Sequence, residues 1–308
     1  HSAIKYPITP NRLACLPRHR ADGEGNCNSM TTFNPTDLRN RIEKLGDLPT
    51  LPHVVQRLAA MIGRPTVSTE EIGSIIEKDQ VLAAKVLRLA NSPFYGFPSR
   101  IGSVPHAVIV LGFNVVKGLT LCASALSIMK DAGMDQLWRH SLGVAITANF
   151  LAARLDIKNP EELFVAGLLH DIGKVVLYVK WPEVGTSIKD TLQVGGDRSL
   201  FDVEKDVTGL SHADIGGCLA NAWHLPITLR EPILYHHNPT LAKEASQQTA
   251  IVHVADILVK GLACGNPGDD IVPPLSKAAW DMVGLDEQSL NECIEKVSSE
   301  FVTIDDYL

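Results

Sequence analysis

A set of histidines and acids in the second half of the chain is the feature with the clearest chemistry. Seven of the eleven histidines lie between His140 and His253, several of them inside apolar segments where an unpaired ring would be costly to bury. A single buried histidine is usually satisfied by a backbone carbonyl, but imidazoles and acids gathered in one helical body favour a shared cation. The candidate ligands of this divalent-metal site are His140, His170, Asp171, His212, His236, His237 and Asp256.

The most informative segment is LLHDIGK, residues 168–174, where an imidazole and a carboxylate are adjacent at the end of a predicted buried helix. Gly173 would allow the chain to turn sharply beside an ion. An ion held by such groups activates water and stabilises a phosphoryl centre, so Asp171 and Lys174 are the predicted catalytic residues. Two interpretations of Lys174 stay open: it balances phosphate charge, or it is a solvated lysine at a helix end.

The donor set indicates which cofactor fits. It offers imidazole nitrogen and carboxylate oxygen and contains no thiolate, which suits iron, manganese, zinc, nickel or cobalt better than magnesium. We therefore predict one or two divalent transition-metal ions. Neighbouring polar residues are weaker candidates: His253 either supports the site or is a packed core residue, His224 is a helix-end residue, and Asp214 and Glu204 are not predicted ligands.

Helices must position these residues, because the apolar residues recur with a 3.6-residue period and no alternating strand pattern competes. Start signals stand at Ser68, at Asn159 followed by Pro160, and at Ser211. The sequence therefore predicts an all-α fold, with helices over residues 54–62, from 68 onward, 81–90, 107–111, 115–129, 140–155, from 160 onward, from 212 onward and 245–262.

Composition narrows the class of protein. The 308 residues are 45% hydrophobic, and 28 basic against 35 acidic residues give a net charge of −7, with no basic block interleaved with aromatics. Nucleic acid is therefore not an expected partner. Six cysteines without a C-x-x-C pair indicate reduced thiols and a cytoplasmic location. The apolar stretch 106–129 is interrupted by glycine and polar residues, which predicts two buried helices rather than a membrane span.

The chain divides into three predicted parts. Residues 1–29 have no helical periodicity and are interpreted as an irregular extension or an added leader. Residues 30–132 form an N-terminal helical subdomain. The segment KDAG, residues 130–133, is a connection, and residues 133–308 form a metal-binding helical subdomain with further C-terminal helices.

Two sets of motifs resemble known families. The order His140, His170-Asp171, Asp256 is similar to the HD superfamily of metal-dependent phosphohydrolases. Upstream, the segments LPTLP, IIEKD and VLRLANS, followed by residues 101–111, resemble the HDOD family. This resemblance covers approximately residues 40–260 and implies an HD-domain-like helical bundle with an N-terminal helical subdomain, acting in bacterial signalling.

The resemblance also implies roles for the candidate ligands. His140, His170, Asp171 and Asp256 match the HD pattern and would hold a first ion. His212, His236 and His237 match the additional histidines of the HD-GYP subgroup and would hold a second ion, with Asp171 bridging the two.

Three departures from that subgroup bear on catalysis. After His237 the chain reads NPT in place of the Gly-Tyr-Pro signature linked to cyclic-di-GMP hydrolysis, and Gln136 stands where some members carry a glutamate for a third ion. Adjacent helical residues project about 100° apart, so His236 and His237 reach one ion only if the helix ends there.

These observations leave three functions open. The favoured one is a regulatory HDOD-type signalling protein with a retained divalent-metal site. The alternative is an active metal-dependent phosphohydrolase or phosphodiesterase acting on a nucleotide or cyclic nucleotide, and the third is metal or redox sensing. Fold analogy cannot choose among them. The expected partners are a nucleotide or phosphate ligand and signalling proteins, with no nucleic acid and no membrane.

Overall fold

A computed structural model describes residues 54, 57–58, 68–92, 99–194, 196 and 198–301. Within these residues all regular structure is helical and no strand occurs, which confirms the predicted all-α class. The predicted extension at residues 1–29, the LPTLP segment and most of the helix predicted at 54–62 lie outside the described residues.

Between residues 68 and 133, the described residues form four helices: α1 (Thr69–Ile76), α2 (Gln80–Ala90), α3 (Val104–Leu111) and α4 (Phe113–Asp131). Ser68 caps α1 by accepting a hydrogen bond from Glu71 N at 3.1 Å. Asn91, in the VLRLANS segment, ends α2 and bonds to both backbone groups of Ile101: its amide donates to the Ile101 carbonyl and its Oδ1 accepts from the Ile101 N–H. The asparagine thus joins the two ends of the connection between α2 and α3.

The apolar stretch near residues 106–129 forms two helices, as predicted. Gly112 separates them with a φ of +84°, a conformation that glycine adopts without strain. Most of α4 is buried, whereas α3 exposes Ile109 and Val110. Among the described residues, no helix has the length and hydropathy needed to cross a bilayer.

The described residues up to 301 form ten further helices: α5 (Asp135–Arg154), α6 (Pro160–Leu169), α7 (Ile172–Lys180), α8 (Pro182–Val194), α9 (Leu200–Thr208), α10 (His212–Ala222), α11 (Ile227–Tyr235), α12 (Ser246–Gly261), α13 (Lys277–Val283) and α14 (Glu287–Phe301). A short 3-10 helix spans Pro239–Leu241. Ser211 and Asp214 form a complete capping box at α10. Asn159 precedes α6 as predicted, but its backbone is left-handed and its side chain makes no capping bond, so that part of the prediction was wrong.

The helices pack around one buried apolar core. α5 lies against α6 and α12, while α10 lies between α7 and α11. Gly167 permits the close approach of α5 and α6, because a Cβ there would lie 2.5 Å from the Ala145 Cα. α4 packs on α6 and α7, so both predicted halves contribute to the same core. A subdomain boundary near residue 133 remains a prediction.

Candidate metal centre

The seven predicted ligands converge because five of them stand at helix ends that meet in the core. His170 ends α6 and Asp171 precedes α7, so a single break in the chain presents both side chains. His212 is the first residue of α10, and α11 ends at Tyr235 just before His236. The remaining two ligands project from the interiors of long helices, His140 from α5 and Asp256 from α12.

Four residues form the first cluster: His140, His170, Asp171 and Asp256. The Nε2 of His140 lies 3.0 Å from Asp256 Oδ1 and 3.8 Å from Asp171 Oδ2. The Nε2 of His170 lies 3.3 Å from Asp171 Oδ2 and 3.9 Å from Asp256 Oδ1. All four side chains are buried. Two imidazoles and two carboxylates therefore face one small volume in the core.

Three histidines form the second cluster on the other side of Asp171. His212 Nε2 lies 3.1 Å and His236 Nε2 lies 3.8 Å from Asp171 Oδ1, and His237 Nε2 lies 2.9 Å from His212 Nε2. His236 and His237 can face the same place only if their helix ends there, and α11 does end before His236. The centroids of the two rings lie 4.2 Å apart. Asp171 presents Oδ2 to the first cluster and Oδ1 to the second.

The donor atoms fit a metal because many have no other partner. His140 Nε2, His170 Nε2, His236 Nε2, Asp171 Oδ1 and Asp256 Oδ1 are buried without a hydrogen-bond partner among the described residues. Such atoms are expensive to bury and call for an explanation. The Nδ1 atoms of His170 and His236 donate to the carbonyls of Gly167 and Ile233 at 2.7 and 3.0 Å. Their Nε2 lone pairs are therefore free for an ion.

The protonation states suit metal binding as well. Burial would raise the pKa of Asp171, but the charges of His170 and Lys174 outweigh it and hold that pKa well below its usual range. Asp256 behaves in the same way: burial opposes ionisation, and His140 and Lys260 lower its pKa. Burial also lowers the pKa of His140, and lowers those of His236 and His237 further. The ionised acids Asp171 and Asp256 and the neutral imidazoles of His140, His236 and His237 are in the forms that coordinate divalent metals.

Lys174 is not the solvated lysine of one of the two interpretations. Its side chain is 2% exposed and its Nζ donates to Asp171 Oδ2 at 2.8 Å. The ammonium therefore compensates the negative charge of the residue shared by the two clusters. Its proposed contact with phosphate stays a prediction.

Two further residues support candidate ligands in the fold. Glu204 Oε2 lies 2.6 Å from His212 Nδ1, although Glu204 was not predicted to belong to the site. His253 donates from Nδ1 to the His236 carbonyl at 2.6 Å and accepts at Nε2 from Ser276 N at 3.0 Å, which matches its predicted supporting position. His224 follows α10, as expected of a helix-end residue, and Asp214 belongs to the α10 capping box rather than to the site.

A cavity of about 410 Å³ adjoins the second cluster. His212 and His237 line it together with Lys174, Phe201 and Lys260. This volume lies within the range of sites that take small molecules. The second cluster therefore faces an opening, whereas the first is enclosed.

Comparison with known proteins agrees with this architecture. The chain is 27% identical over 279 residues to an uncharacterized protein of Treponema pallidum (strain Nichols), a match that covers 89% of this chain and spans only 53% of that relative's length. An HDOD domain protein of unknown function from Geobacter sulfurreducens superposes with a TM-score of 0.67 at 28% identity, covering 89% of this chain and 99% of the other.

A candidate phosphohydrolase from Shewanella amazonensis SB2B superposes with a TM-score of 0.60 at 23% identity, covering 85% of this chain and 93% of the other. This likeness concerns the fold alone. The family model of the HDOD domain matches residues 48–239, close to the range indicated by the motifs. The chain belongs to the HDOD family.

Proposed function

We propose that this protein is an HDOD-type regulatory protein of bacterial signal transduction that retains a two-ion HD-type metal site. One observation carries the proposal: imidazoles from four separate places in the fold face the two oxygens of one buried carboxylate, and among the described residues the Nε2 atoms of His140, His170 and His236 have no hydrogen-bond partner. Scattered core histidines would each have found a carbonyl or a hydroxyl instead. The proposed partners are signalling proteins and a nucleotide or phosphate ligand, and the proposed location is the cytoplasm.

The residues divide between the two ions as the clusters do. His140, His170 and Asp256 would hold the first ion, His212, His236 and His237 the second, and Asp171 would contribute one oxygen to each. When bound, such ions supply Lewis acidity and lower the pKa of water from about 15.7 towards about 7. The nitrogen-rich donor set favours iron, manganese, zinc, nickel or cobalt.

Elemental analysis of purified protein tests the metal site. We expect near-stoichiometric transition metal in the wild type and its loss in Asp171→Ala, because both clusters use that side chain. Asp206→Ala is the matched control, since Asp206 is exposed and pairs with Arg198. Metal content that is unchanged in Asp171→Ala would remove Asp171 from the ligand set, and a wild type without metal would contradict the proposal.

Phosphoester hydrolysis is the second candidate function, and the cavity beside the second cluster favours it. An enzyme of this class needs an open approach to the ions and a cationic wall for a phosphate. His212 and His237 provide the approach, and Lys174 and Lys260 line the same cavity. The candidate phosphohydrolase from Shewanella amazonensis shares the fold, which is consistent with this alternative and does not establish it.

The two functions are separated by a substrate screen. Metal-loaded protein is incubated with cyclic dinucleotides, nucleotides and simple phosphodiesters, and His170→Ala serves as the inactive control. Turnover that disappears in the variant supports the enzyme, whereas turnover that survives it indicates a contaminant. No turnover from a fully loaded wild type favours the regulatory function. The missing Gly-Tyr-Pro signature makes cyclic-di-GMP the least expected substrate.

A further inference from the structure

Glu204 is a completely buried carboxylate that none of the metal-binding arguments above requires. Its Oε2 accepts a hydrogen bond from the His212 backbone N–H at 2.8 Å and lies 2.6 Å from His212 Nδ1. Its Oε1 is also buried, with no hydrogen-bond partner in the described part of the chain. A buried carboxylate with an unsatisfied oxygen destabilises a fold, so packing alone does not account for Glu204.

The connection between α9 and α10 holds Glu204 and His212 in position relative to each other. Thr208 Oγ1 lies 2.9 Å from the Glu204 carbonyl and accepts from Leu210 N at 3.1 Å. Gly209 takes a φ of +74°, which a side chain would disfavour. The Ser211 capping box then starts α10. Glu204 and His212 are thus positioned by a turn whose bonds leave little freedom.

His212 differs from the other ligand histidines in what supports it. The Nδ1 atoms of His170 and His236 bond to neutral backbone carbonyls, whereas that of His212 bonds to a carboxylate. A charged acceptor makes a stronger hydrogen bond than a neutral one. It also raises the basicity of the opposite ring nitrogen, which for His212 is the Nε2 atom that faces Asp171 and His237.

Charge gives a second reason for Glu204. The first cluster contains two carboxylates, Asp171 and Asp256. Among the described residues, the second cluster shares one of them, Asp171, through its Oδ1 atom. Lys174 further compensates Asp171. A divalent ion among the three imidazoles of the second cluster would therefore have less negative charge nearby than one in the first cluster, and Glu204 adds a negative charge directly behind His212.

We propose that Glu204 is a positioning residue for the second metal ion: it keeps His212 protonated at Nδ1, aims Nε2 at the ion and supplies the negative charge that retains the ion. This inference rests on the proposed two-ion site. It predicts that the two ions respond differently when Glu204 loses its charge.

The test is a zinc titration of metal-free wild type and of metal-free Glu204→Gln, in which calorimetry measures the binding. We expect the first ion to bind with unchanged affinity and the second to bind about 10–100-fold more weakly in the variant. Asp206→Asn is the matched control, because it removes a negative charge from the same helix, and Asp206 is exposed and pairs with Arg198 rather than with His212. In this control both affinities should equal those of the wild type.

A measurement on the wild type alone covers the case of a variant that folds poorly. In zinc-loaded protein with ¹⁵N-labelled histidine, His212 should show a protonated Nδ1 and a zinc-bound Nε2. Coordination through Nδ1, or two affinities that are the same in wild type and Glu204→Gln, would overturn this inference alone. A wild type that binds no zinc would overturn the two-ion proposal, and this inference with it.

Discussion

The two clusters share Asp171 yet are built in opposite ways. The first takes His140 and Asp256 from the interiors of α5 and α12 and lies wholly in the core. The second takes its histidines from helix ends, and half-buried His237 borders the cavity. Structural metal sites are closed, whereas sites that act on ligands keep an open side. The comparison teaches that one buried carboxylate can serve an enclosed cluster with one oxygen and an open cluster with the other.

The largest effect is expected where the two clusters are joined. A Cβ on Gly173 would lie 1.9 Å from the His212 carbonyl oxygen and 2.9 Å from Gly216 N, so α7 and α10 would have to separate. We expect Gly173→Ala to lower the free energy of unfolding by about 3 kcal/mol or more. It should also weaken binding of the second ion, because Asp171 and His212 move apart. Urea unfolding in chelator and zinc stoichiometry measure the two effects.

Gly102→Ala is the control for that substitution. Gly102 has open space where the Cβ would be placed, so its replacement should leave both stability and metal content unchanged. Equal stability of Gly173→Ala and wild type would show that the α7–α10 contact does not hold the clusters together.

The next prediction compares one histidine from each cluster. His140 is fully buried, and its Nε2 lies 3.0 Å from Asp256 Oδ1, so His140→Ala leaves a cavity beside a buried acid. We expect this variant to lose the first ion and, in chelator, about 2–3 kcal/mol of stability. His237→Ala should lose the second ion at a cost of less than about 1 kcal/mol, since its ring is half-buried. Equal costs would contradict the contrast between the clusters.

The pH dependence of stability sharpens the same contrast in chelated protein. Burial lowers the pKa of His140, His236 and His237 below the ordinary 6.5, and that of His253 beside them as well. Below about pH 6.5 the unfolded chain binds protons that the folded chain does not, so stability falls with falling pH. Each such group contributes a slope of at most about 1.4 kcal/mol per pH unit.

The pKa shift of His212 has the opposite sign. Burial alone would lower its pKa, but the charges of Glu204 and Asp171 together outweigh burial and raise it. Its contribution is complete below pH 6.5 and is lost as pH rises through the raised pKa. Chelated protein should therefore be most stable near pH 6.5. Below that pH, His237→Ala should reduce the slope of unfolding free energy against pH by the contribution of one bound proton. Unfolding free energies between pH 5 and 8 test this, and an unchanged slope in the variant would be contrary evidence.

How much of this could be predicted depends on how far apart the interacting residues are in sequence. All seven predicted ligands converge in the structure, because residue type and motif order carried that information. The α10 capping box was readable since Ser211 and Asp214 are three residues apart. Glu204 was not, because nothing local shows that α9 turns back to place it against His212. Burial of Lys174 likewise depends on neighbouring helices rather than on its own segment.

The smallest expected effect concerns the packing of the open cluster. The Phe201 ring lies 4.5 Å from the His237 ring, centroid to centroid, and Lys205 covers Phe201 from 4.0 Å. An aromatic contact of this kind contributes about 0.5–1.5 kcal/mol, so Phe201→Leu should lower the affinity for the second ion by about 2–10-fold. The first ion should be unaffected, since its ligands do not touch Phe201. Zinc titration measures both affinities, with Lys205→Met as the control that keeps the ring in place. Equal weakening of both ions would instead indicate general loosening of the core, and the clusters would then respond as one unit.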